Sequence, residues 1–504
     1  MLACLCSAAV VGIDAYPVHI EVDVSHGFPS FTMVGLPDIT VRESRDRVRS
    51  AIRNSGFAFP RHRITVNLAP ADVRKAGSSF DLPIALGLLA TDGQLQRRCV
   101  DDTIVLGELS LDGGINSIRG VLPIAMAARR SGIRRLLIPP SNAAEACIVD
   151  SLEICTVRSL AEAVNALNHP DSATMVARDP TIVPAPVTSE GDFSEVRGQL
   201  LPRRAVEVAA AGGHNLLLVG PPGSGKTMMA RRLPGILPPL TFDEALECTA
   251  IHSVAGTLRP GSGLIAQRPF RAPHHTISNV ALVGGGSFPR AGEISLAHNG
   301  VLFLDEMPEF DRRVLEVLRQ PLEEGSVTVA RAARTAVFPA RFVLVAAMNP
   351  CPCGYRGDDR RACRCTPRDV ERYRSRLSGP LRDRIDLIVD VPAVPVVSLT
   401  AATPGESSFA IRARVLAARA AQHARYASTA QRTNGELRGG AVIQHCGPDE
   451  AGLRLLRVAT ERLRLTARGY DRVLKVARTI ADLAASERVR EEHVAEALQY
   501  RMQE

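Results

Sequence analysis

A glycine-rich segment at residues 216–227 carries the residue types best suited to bind phosphate. It reads LLLVGPPGSGKT, which gives the spacing Gly220-x4-Gly225-Lys226-Thr227 after an apolar run and before a segment that can start a helix. Glycines let backbone N–H groups turn inward around anionic oxygens, and a helix N-terminus adds partial positive charge. A glycine turn that binds nothing is the plainer alternative, but the strand–loop–helix context and the Lys-Thr pair favour a nucleotide-binding loop.

Side-chain chemistry assigns the roles within this loop. Lys226 places a positive charge at the β- and γ-phosphates, and Thr227 offers its hydroxyl to Mg²⁺. ATP and Mg²⁺ are therefore the expected cofactors. The residues predicted to contact the nucleotide are Gly220, Pro221, Pro222, Gly223, Ser224, Gly225, Lys226 and Thr227.

A second motif, VLFLDE at residues 301–306, is an apolar run that ends in two carboxylates. Ligands of open parallel sheets lie at the carboxyl ends of the strands. We therefore expect Asp305 to reach the Mg²⁺ held by Thr227, and Glu306 to orient and polarise an attacking water. A strand that merely enters a turn would explain either motif alone, but not the ordered pair.

Further polar residues could complete a nucleotide site. Asn349 ends the apolar run RFVLVAAMNP, where it either contacts the γ-phosphate or simply starts a turn before proline. Arg384, with Arg382 as second choice, could reach a neighbouring subunit's γ-phosphate as an arginine finger, or be an ordinary surface arginine. Arg468, at the start of a predicted helix, could contact phosphate of its own chain.

Four cysteines lie close together in the segment CPCGYRGDDRRACRC at residues 351–365. Cys351, Cys353, Cys363 and Cys365 could hold a tetrahedral Zn²⁺ through four thiolates. Chance clustering in a reducing cell and a redox pair remain open, since C-x-C is tighter than the usual C-x2-C. A four-thiolate zinc has no open position, so its role would be to brace an arginine-rich loop.

Composition places the chain among globular proteins of two to four domains. It has 504 residues, 45% hydrophobic and 23% charged, and no apolar run long enough to span a membrane. The apolar N-terminus runs into an alternating segment, which predicts a first β-hairpin instead of a signal peptide. The eleven cysteines are scattered except for the cluster at 351–365 and are odd in number, which fits a reducing cytosol, so we expect a cytoplasmic protein.

The net charge of +8 comes almost wholly from arginine, with 61 Lys+Arg against 53 Asp+Glu. An arginine-rich surface suits phosphate contacts, although a solvated surface explains it equally well. Aromatic residues are 4% and tryptophan is absent, so base stacking is not the obvious way to bind nucleic acid.

Periodicity divides the chain into four parts and predicts an α/β protein. Residues 1–168 alternate strand-like and helix-like segments, residues 169–192 are an aperiodic linker, residues 193–395 hold the nucleotide motifs, and residues 396–504 are helical.

The order of these motifs resembles the YifB/ComM family, in the magnesium-chelatase-like branch of the AAA+ ATPases. The segments that carry the resemblance are the phosphate loop, LFLDE, MNP, SGPLRDRID, ARGYDR, RPFRAPHHTIS and VGLPDITVRESRDRVRSAI. It implies an AAA+ core with a C-terminal helical lid, assembled into a ring, most simply a hexamer. It also implies pore-lining hairpins at about 278–297 and 325–340, the second offering Arg331 and Arg334 to DNA.

Residues 75–89 and 107–123 resemble the segments of Lon-type proteases that hold the catalytic serine and lysine. The resemblance implies a Lon-like α+β domain of the ribosomal S5 domain 2-like kind. Ser79 falls at the nucleophile position, but Leu122 stands where the lysine should be. Arg119 stays protonated and cannot replace it as a base. We therefore expect this domain to be inactive as a peptidase.

Five functions can be weighed against these motifs. The net positive charge and the arginine-bearing hairpin fit an ATP-driven ring motor on DNA. Such a motor would be a helicase or branch-migration enzyme of recombination or transformation. A magnesium-chelatase motor subunit or a protein-remodelling ATPase shares the same core. The missing lysine argues against an ATP-dependent protease, and the intact Lys226, Asp305, Glu306 and Asn349 argue against a non-enzymatic scaffold.

Overall fold

The structure is a computed structural model, and it describes residues 1–72, 75–96, 99–176, 191–259, 261–286, 289–331, 334–358, 361–394, 405–429 and 431–501. A mixed sheet with helices, a parallel sheet with helices and a set of C-terminal helices follow one another along the chain. The predicted α/β fold is therefore confirmed. Within these ranges no helix has the length and apolar character needed to cross a membrane.

The N-terminal part is built on a seven-stranded mixed sheet. Its first two strands pair antiparallel, as the alternating sequence predicted. In spatial order the strands are Ser30–Val34, Arg63–Ala69, Asp14–Ser25, Leu2–Val11, Cys99–Val105, Arg135–Ile138 and Glu153–Thr156. A small hairpin pairs Glu108–Leu109 with Ile115–Asn116. The helices are Ile39–Asn54, Asp81–Thr91, Val121–Arg130, Ala143–Ala146 and Leu160–Asn168.

The segment predicted as a linker starts along this sheet. The N–H of Thr156 donates to the carbonyl of Thr174 at 3.0 Å, and the N–H of Val176 donates to the carbonyl of Ile154 at 2.9 Å. Residues 177–190 lie outside the described residues. The first residues of the linker segment thus pair with the last strand of the sheet.

The central part is a five-stranded parallel sheet that places the nucleotide motifs. Its strands, in spatial order, are Phe270–Arg271, Gly300–Leu304, Phe342–Met348, Leu216–Val219 and Leu387–Asp390. Successive side chains alternate between two cores: Leu216 and Leu218 enter one, and Leu217 enters the other. Because both faces are buried, the strands are continuously apolar, which is the property that made them visible in the sequence.

Helices cover both faces of this sheet. They are Leu200–Gly212, Lys226–Ile236, Phe242–Ala255, Asn279–Val283, Glu293–Leu296, Arg312–Glu316, Arg319–Glu324, Pro367–Arg374 and Gly379–Arg382. Two short β-hairpins also belong to the central part, at the positions that the family resemblance implied. They pair Gly284–Gly285 with Arg290–Ala291, and Ser326–Arg331 with Arg334–Pro339.

The C-terminal helices pack against one face of the sheet through the helix Leu200–Gly212. Gln422 and Arg419 donate side-chain hydrogen bonds to the carbonyls of Ala211 and Ala210, at 3.0 and 2.9 Å. The same hydrophobic core therefore contains residues of the sheet and of the C-terminal helices. These helices are Ser408–Arg425, Gly440–Cys446, Glu450–Arg462, Ala467–Leu483 and Glu491–Gln499.

A buried carboxylate joins the N-terminal and central parts. Glu145, in the N-terminal part, accepts hydrogen bonds from the N–H of Leu122 at 2.7 Å and from the hydroxyl of Ser253. Ser253 lies in the helix Phe242–Ala255 of the central part, and its carbonyl accepts from the N–H of Gly120 at 3.3 Å. The two parts thus share hydrogen bonds that water does not reach.

Candidate active site

The phosphate loop lies between the strand Leu216–Val219 and the helix Lys226–Ile236. Gly223 and Gly225 have φ angles of 76° and 91°, a region that other residues rarely adopt. At Gly220 a Cβ atom would lie 2.2 Å from the carbonyl oxygen of Val391, so a side chain cannot fit there. The glycines of the motif are thus required by the backbone path.

Lys226 points back into the concave side of this loop. Its ammonium donates to the carbonyls of Gly220 and Pro221, at 2.7 and 2.9 Å. Burial lowers the pKa of Lys226 below its usual value, while Asp305 and Glu306 act in the opposite direction. The loop therefore holds a cation where the phosphates of a nucleotide would lie.

Thr227 and Asp305 meet across the two motifs. The Thr227 hydroxyl donates to the Asp305 carboxylate at 2.8 Å, so oxygen atoms of the kind that Mg²⁺ prefers stand side by side. Glu306 follows in the left-handed region with φ of 50°, and its N–H donates to Asp305 at 3.0 Å. This turn leaves the Glu306 side chain 56% exposed beside the site, where a water could be polarised.

Asn349 joins the same group of residues. It follows the strand Phe342–Met348, and its side-chain oxygen lies 3.4 Å from the ammonium of Lys226. The structure therefore brings together Lys226, Thr227, Asp305, Glu306 and Asn349, which the sequence had placed in three separate segments.

His275 is a residue of the site that the sequence reasoning did not single out. Its Nδ1 atom lies 3.8 Å from a carboxylate oxygen of Glu306. The ring of Phe310 packs edge-on against His275, with centroids 6.4 Å apart. The signal was present in the paired histidines of RPFRAPHHTIS, which follow the edge strand Phe270–Arg271.

Arg384 and Arg468 lie elsewhere, in a cavity of about 870 Å³ that both residues line. The Arg384 guanidinium pairs with Glu323 and donates to the carbonyl of Pro380 at 2.5 Å. Asn215, Gly300 and Phe342, at the amino ends of the parallel strands, line the same cavity.

This cavity and the phosphate loop lie at opposite edges of the sheet. Strands of this length span roughly 13–23 Å at about 3.3 Å per residue, which is farther than an arginine side chain reaches. The contact that we expected between Arg468 and the phosphates of its own chain is therefore not formed in this structure.

Comparison with known proteins agrees with these motifs over the whole length. A family model described as magnesium chelatase, subunit ChlI, matches residues 192–399, and two related models match residues 20–142 and 405–501. The uncharacterized protein YifB of Salmonella typhimurium is 45% identical over 511 residues, covering 99% of this chain and 97% of that protein. The competence protein ComM of Haemophilus influenzae is 45% identical over 506 residues, with the same coverage.

The chain belongs to the YifB/ComM family of magnesium-chelatase-like AAA+ ATPases. Membership implies ATPase activity, with ATP and Mg²⁺ as the cofactors.

The N-terminal part of this YifB/ComM chain also matches Lon proteases. The Lon protease of Chloroflexus aurantiacus is 32% identical over 133 residues, which cover 25% of this chain and 16% of that protein. Leu122, at the position expected for the catalytic lysine, is buried in the helix Val121–Arg130. Lys75 is buried as well, and its ammonium donates to the carbonyl of Pro70. That Ser79 lacks a lysine base stays a prediction.

The four clustered cysteines of this family member converge on one point. Their sulfur atoms all lie within 4.8 Å of one another, and Cys351 and Cys353 are 3.4 Å apart. Four thiolates at about 2.3 Å from a tetrahedral Zn²⁺ stand roughly 3.8 Å apart. Cys363 lies 3.6 Å from both Cys351 and Cys353, so the donor set fits such an ion.

The second hairpin contains the two arginines that we expected to contact DNA. Its strands Ser326–Arg331 and Arg334–Pro339 pair antiparallel, with Arg331 opposite Arg334. The side chains of these two arginines and the two residues between them lie outside the described part of the structure.

Proposed function

We propose that this protein is an ATP-driven, ring-forming motor that moves DNA, as a helicase or branch-migration enzyme in recombination or natural transformation. The name of the Haemophilus influenzae relative, a competence protein, supports the process. Lys226 and the loop glycines bind the phosphates, Thr227 and Asp305 bind Mg²⁺, and Asn349 contacts the γ-phosphate. Glu306 activates the attacking water.

One observation supports assembly into a ring. A single chain holds its phosphate loop and its two candidate arginines at opposite edges of one sheet. Developing negative charge on the γ-phosphate is best stabilised by an arginine close to it. Since Arg384 and Arg468 cannot reach their own loop, a neighbouring subunit must supply them. Repeating that contact head to tail closes a ring, most simply a hexamer.

The basic hairpin supports DNA as the substrate. In a ring, Ser326–Arg331 and Arg334–Pro339 would reach the central pore, where Arg331 and Arg334 would contact backbone phosphates. Such contacts depend on charge and not on base sequence, so binding would be strongly salt-dependent.

The cysteine cluster has a supporting role in this proposal. A structural Zn²⁺ held by Cys351, Cys353, Cys363 and Cys365 would keep the arginine-rich loop 351–365 in place. It would leave no open position for chemistry.

A magnesium-chelatase motor subunit is the second candidate, because the matched family models carry that description. A protein-remodelling ATPase would use the same nucleotide site. Neither candidate requires a response to DNA.

ATP hydrolysis measured with no nucleic acid, single-stranded DNA, duplex DNA and a branched junction, across a salt series, separates these functions. We expect stimulation by DNA, strongest on one form and lost at high salt. Replacing Arg331 and Arg334 together by alanine should make DNA binding less sensitive to salt. The slope of log affinity against log salt concentration should fall by up to about two, one for each lost phosphate contact. A rate that no DNA form changes, with intact basal hydrolysis, would contradict the motor and favour the other two candidates.

A further inference from the structure

The cysteine-bearing loop 351–365 is described at residues 351–358 and 361–365, and its first part lies directly against the phosphate loop. Gly354 has a φ angle of 86°, and a Cβ atom there would lie 2.8 Å from the side chain of Pro222. This approach is closer than real side chains allow, so the two loops touch through backbone and proline ring. Any displacement of loop 351–365 therefore changes the surroundings of the phosphate loop.

The two loops enclose a second cavity, of about 590 Å³, beside the phosphate-binding glycines. Gly223 and Gly225 line it, together with the apolar side chains of Val196 and Met229 and with Tyr355 and Arg361 from the cysteine-bearing loop. Charged side chains, among them Glu195, Arg197 and Asp358, line it as well. A cleft of this mixed character next to a phosphate loop has the size to take the base and ribose of a bound nucleotide.

Tyr355 and Arg361, whose side chains both end in a planar group, contact each other at the wall of this cavity. The guanidinium of Arg361 donates to the Tyr355 hydroxyl at 2.8 Å and lies 5.1 Å from the centre of its ring. Aromatic rings and guanidinium groups are the side chains that stack best on a nucleobase. The pair is therefore positioned to contact the nucleoside of a bound nucleotide.

The cysteines stand immediately on either side of this pair. Tyr355 follows Cys353 by two residues, and Arg361 precedes Cys363 by two residues. The N–H of Cys353 also donates to the sulfur of Cys365 at 3.4 Å, which joins the two ends of the loop. A metal ion on the four thiolates would thus hold both pocket residues at once.

We infer that loop 351–365 is a wall of the nucleotide pocket, that Tyr355 and Arg361 contact the nucleoside of bound ATP, and that a zinc ion on the four thiolates sets nucleotide affinity. The inference rests on the proposed function only in taking residues 220–227 as the nucleotide-binding loop. It assigns the zinc a second role, because the ion would couple metal supply to ATP binding.

Calorimetric titration of the full chain with two ligands, Mg·ATP and Mg·tripolyphosphate, tests the nucleoside contact. Tyr355→Ala and Arg361→Ala should each weaken ATP binding about three- to tenfold, the range of one lost aromatic or cation–π contact. Neither should change tripolyphosphate binding. Arg356→Ala, at an exposed arginine of the same loop that does not line the cavity, is the matched control and should leave both affinities within about twofold.

Lys226→Ala calibrates the two-ligand experiment, since it should abolish binding of both ligands. If Tyr355→Ala and Arg361→Ala keep the wild-type affinity for ATP while Lys226→Ala loses it, the wall assignment is wrong and the phosphate loop stands. If the Tyr355 and Arg361 variants weaken both ligands equally, the loop acts only on the phosphate site and the nucleoside contact is overturned.

The zinc coupling is tested by metal content and affinity together. We expect about one zinc per chain in the purified protein, and about tenfold weaker ATP binding after chelation, restored by stoichiometric Zn²⁺. Cys363→Ser with Cys365→Ser should reproduce the chelated state without restoration, while circular dichroism stays that of the wild type. A protein that holds no zinc, or one whose ATP affinity survives zinc removal, would refute the coupling. No DNA is present, so the outcome does not depend on the motor activity.

Discussion

At the level of single residues, Lys226, Thr227 and Asp305 are held in place by hydrogen bonds within the protein. The ammonium is held by loop carbonyls, and the hydroxyl is held by the carboxylate at 2.8 Å. Side chains already in place lose little entropy on binding, which is the general advantage of a preorganised site. Glu306 differs from them because its carboxylate is 56% exposed and lies 3.8 Å from the Nδ1 atom of His275.

Glu306→Gln should keep ATP binding and slow hydrolysis by about 100-fold or more, since an amide cannot polarise the attacking water. Steady-state hydrolysis and nucleotide titration of the same preparation measure both properties.

Glu309→Gln is the matched control for this change. Glu309 lies three residues farther on and pairs with Arg376 at 2.9 Å, away from Lys226 and Asp305. Its hydrolysis rate should remain near that of the wild type. A Glu306→Gln protein that turns over within a few fold of the wild type would move the water-activating role to another residue.

At the level of elements, the residues that we propose as catalytic lie where strands end. Asp305 and Asn349 follow two neighbouring parallel strands, and the phosphate loop follows a third. Polar residues from separate segments therefore meet at one edge of the sheet. The edge strand Phe270–Arg271 adds His275 through the turn that follows it, close to Glu306.

His275→Ala should lower kcat about three- to tenfold and leave the KM for ATP nearly unchanged, because Glu306 loses the side chain that orients it while Lys226 is untouched. Hydrolysis kinetics over a range of ATP concentrations separate the two constants. His274→Ala is the control, since His274 bonds instead to Thr276 at 2.9 Å. Equal losses in both variants would show that the effect comes from the turn and not from the Glu306 contact.

At the level of the whole molecule, one chain forms an incomplete site. Arg384 is bonded to Glu323 and lines the cavity at the far edge of the sheet. In the proposed ring, Arg384 would exchange that carboxylate for a phosphate bound by the neighbouring subunit. Under this proposal, the ring is the unit in which the chemistry is complete.

Mixing two inactive variants tests this division. Arg384→Ala has an intact phosphate loop, and Lys226→Ala has an intact Arg384, so each is expected to hydrolyse ATP at least about 100-fold more slowly alone. Mixed rings should regain activity where a Lys226→Ala subunit supplies Arg384 to its neighbour. Hydrolysis measured against the mixing ratio should pass through a maximum.

Arg384→Lys and Arg382→Ala are the controls for folding and position. Arg384→Lys keeps the charge at the buried site, and Arg382→Ala removes the arginine that ends the short helix Gly379–Arg382, two residues before Arg384. Additive, unrecovered losses at every mixing ratio would mean that Arg384 acts within its own chain.

The junction between the N-terminal part and the ATPase gives a prediction of stability. Burial raises the pKa of Glu145 above its ordinary 4.5, and the Ser253 hydroxyl acts in the opposite direction. Just above that pH the folded protein holds a proton that the unfolded chain releases, so stability falls as pH rises through this range.

Ser253→Ala removes a hydrogen bond that favours the ionised form of Glu145. It should lower the free energy of unfolding by about 1–2 kcal/mol at pH 7 and by less at pH 4, where Glu145 is protonated. Urea denaturation at both pH values measures the difference. Ser262→Ala, at a surface hydroxyl that bonds only to a nearby carbonyl at 2.6 Å, should cost less at both. A larger cost at pH 4 would contradict the assigned role of Glu145.

The sequence by itself determined the elements of the nucleotide site and the family. A phosphate loop needs glycines at set positions, and a parallel strand buried on both faces is continuously apolar, so local residue order reveals both. The same holds for Asp305, Glu306 and Asn349, which follow apolar runs, and for the four cysteines, whose spacing is local.

Only the tertiary structure decided how distant segments meet. No spacing rule places His275 beside Glu306, Tyr355 and Arg361 beside the phosphate loop, or Arg468 in the cavity of Arg384. These contacts depend on the order of strands in the sheet and on the packing of helices at its amino edge, which many residues set together. For that reason the sequence named Arg468 as a phosphate contact of its own chain, and the fold put it in the cavity that Arg384 lines.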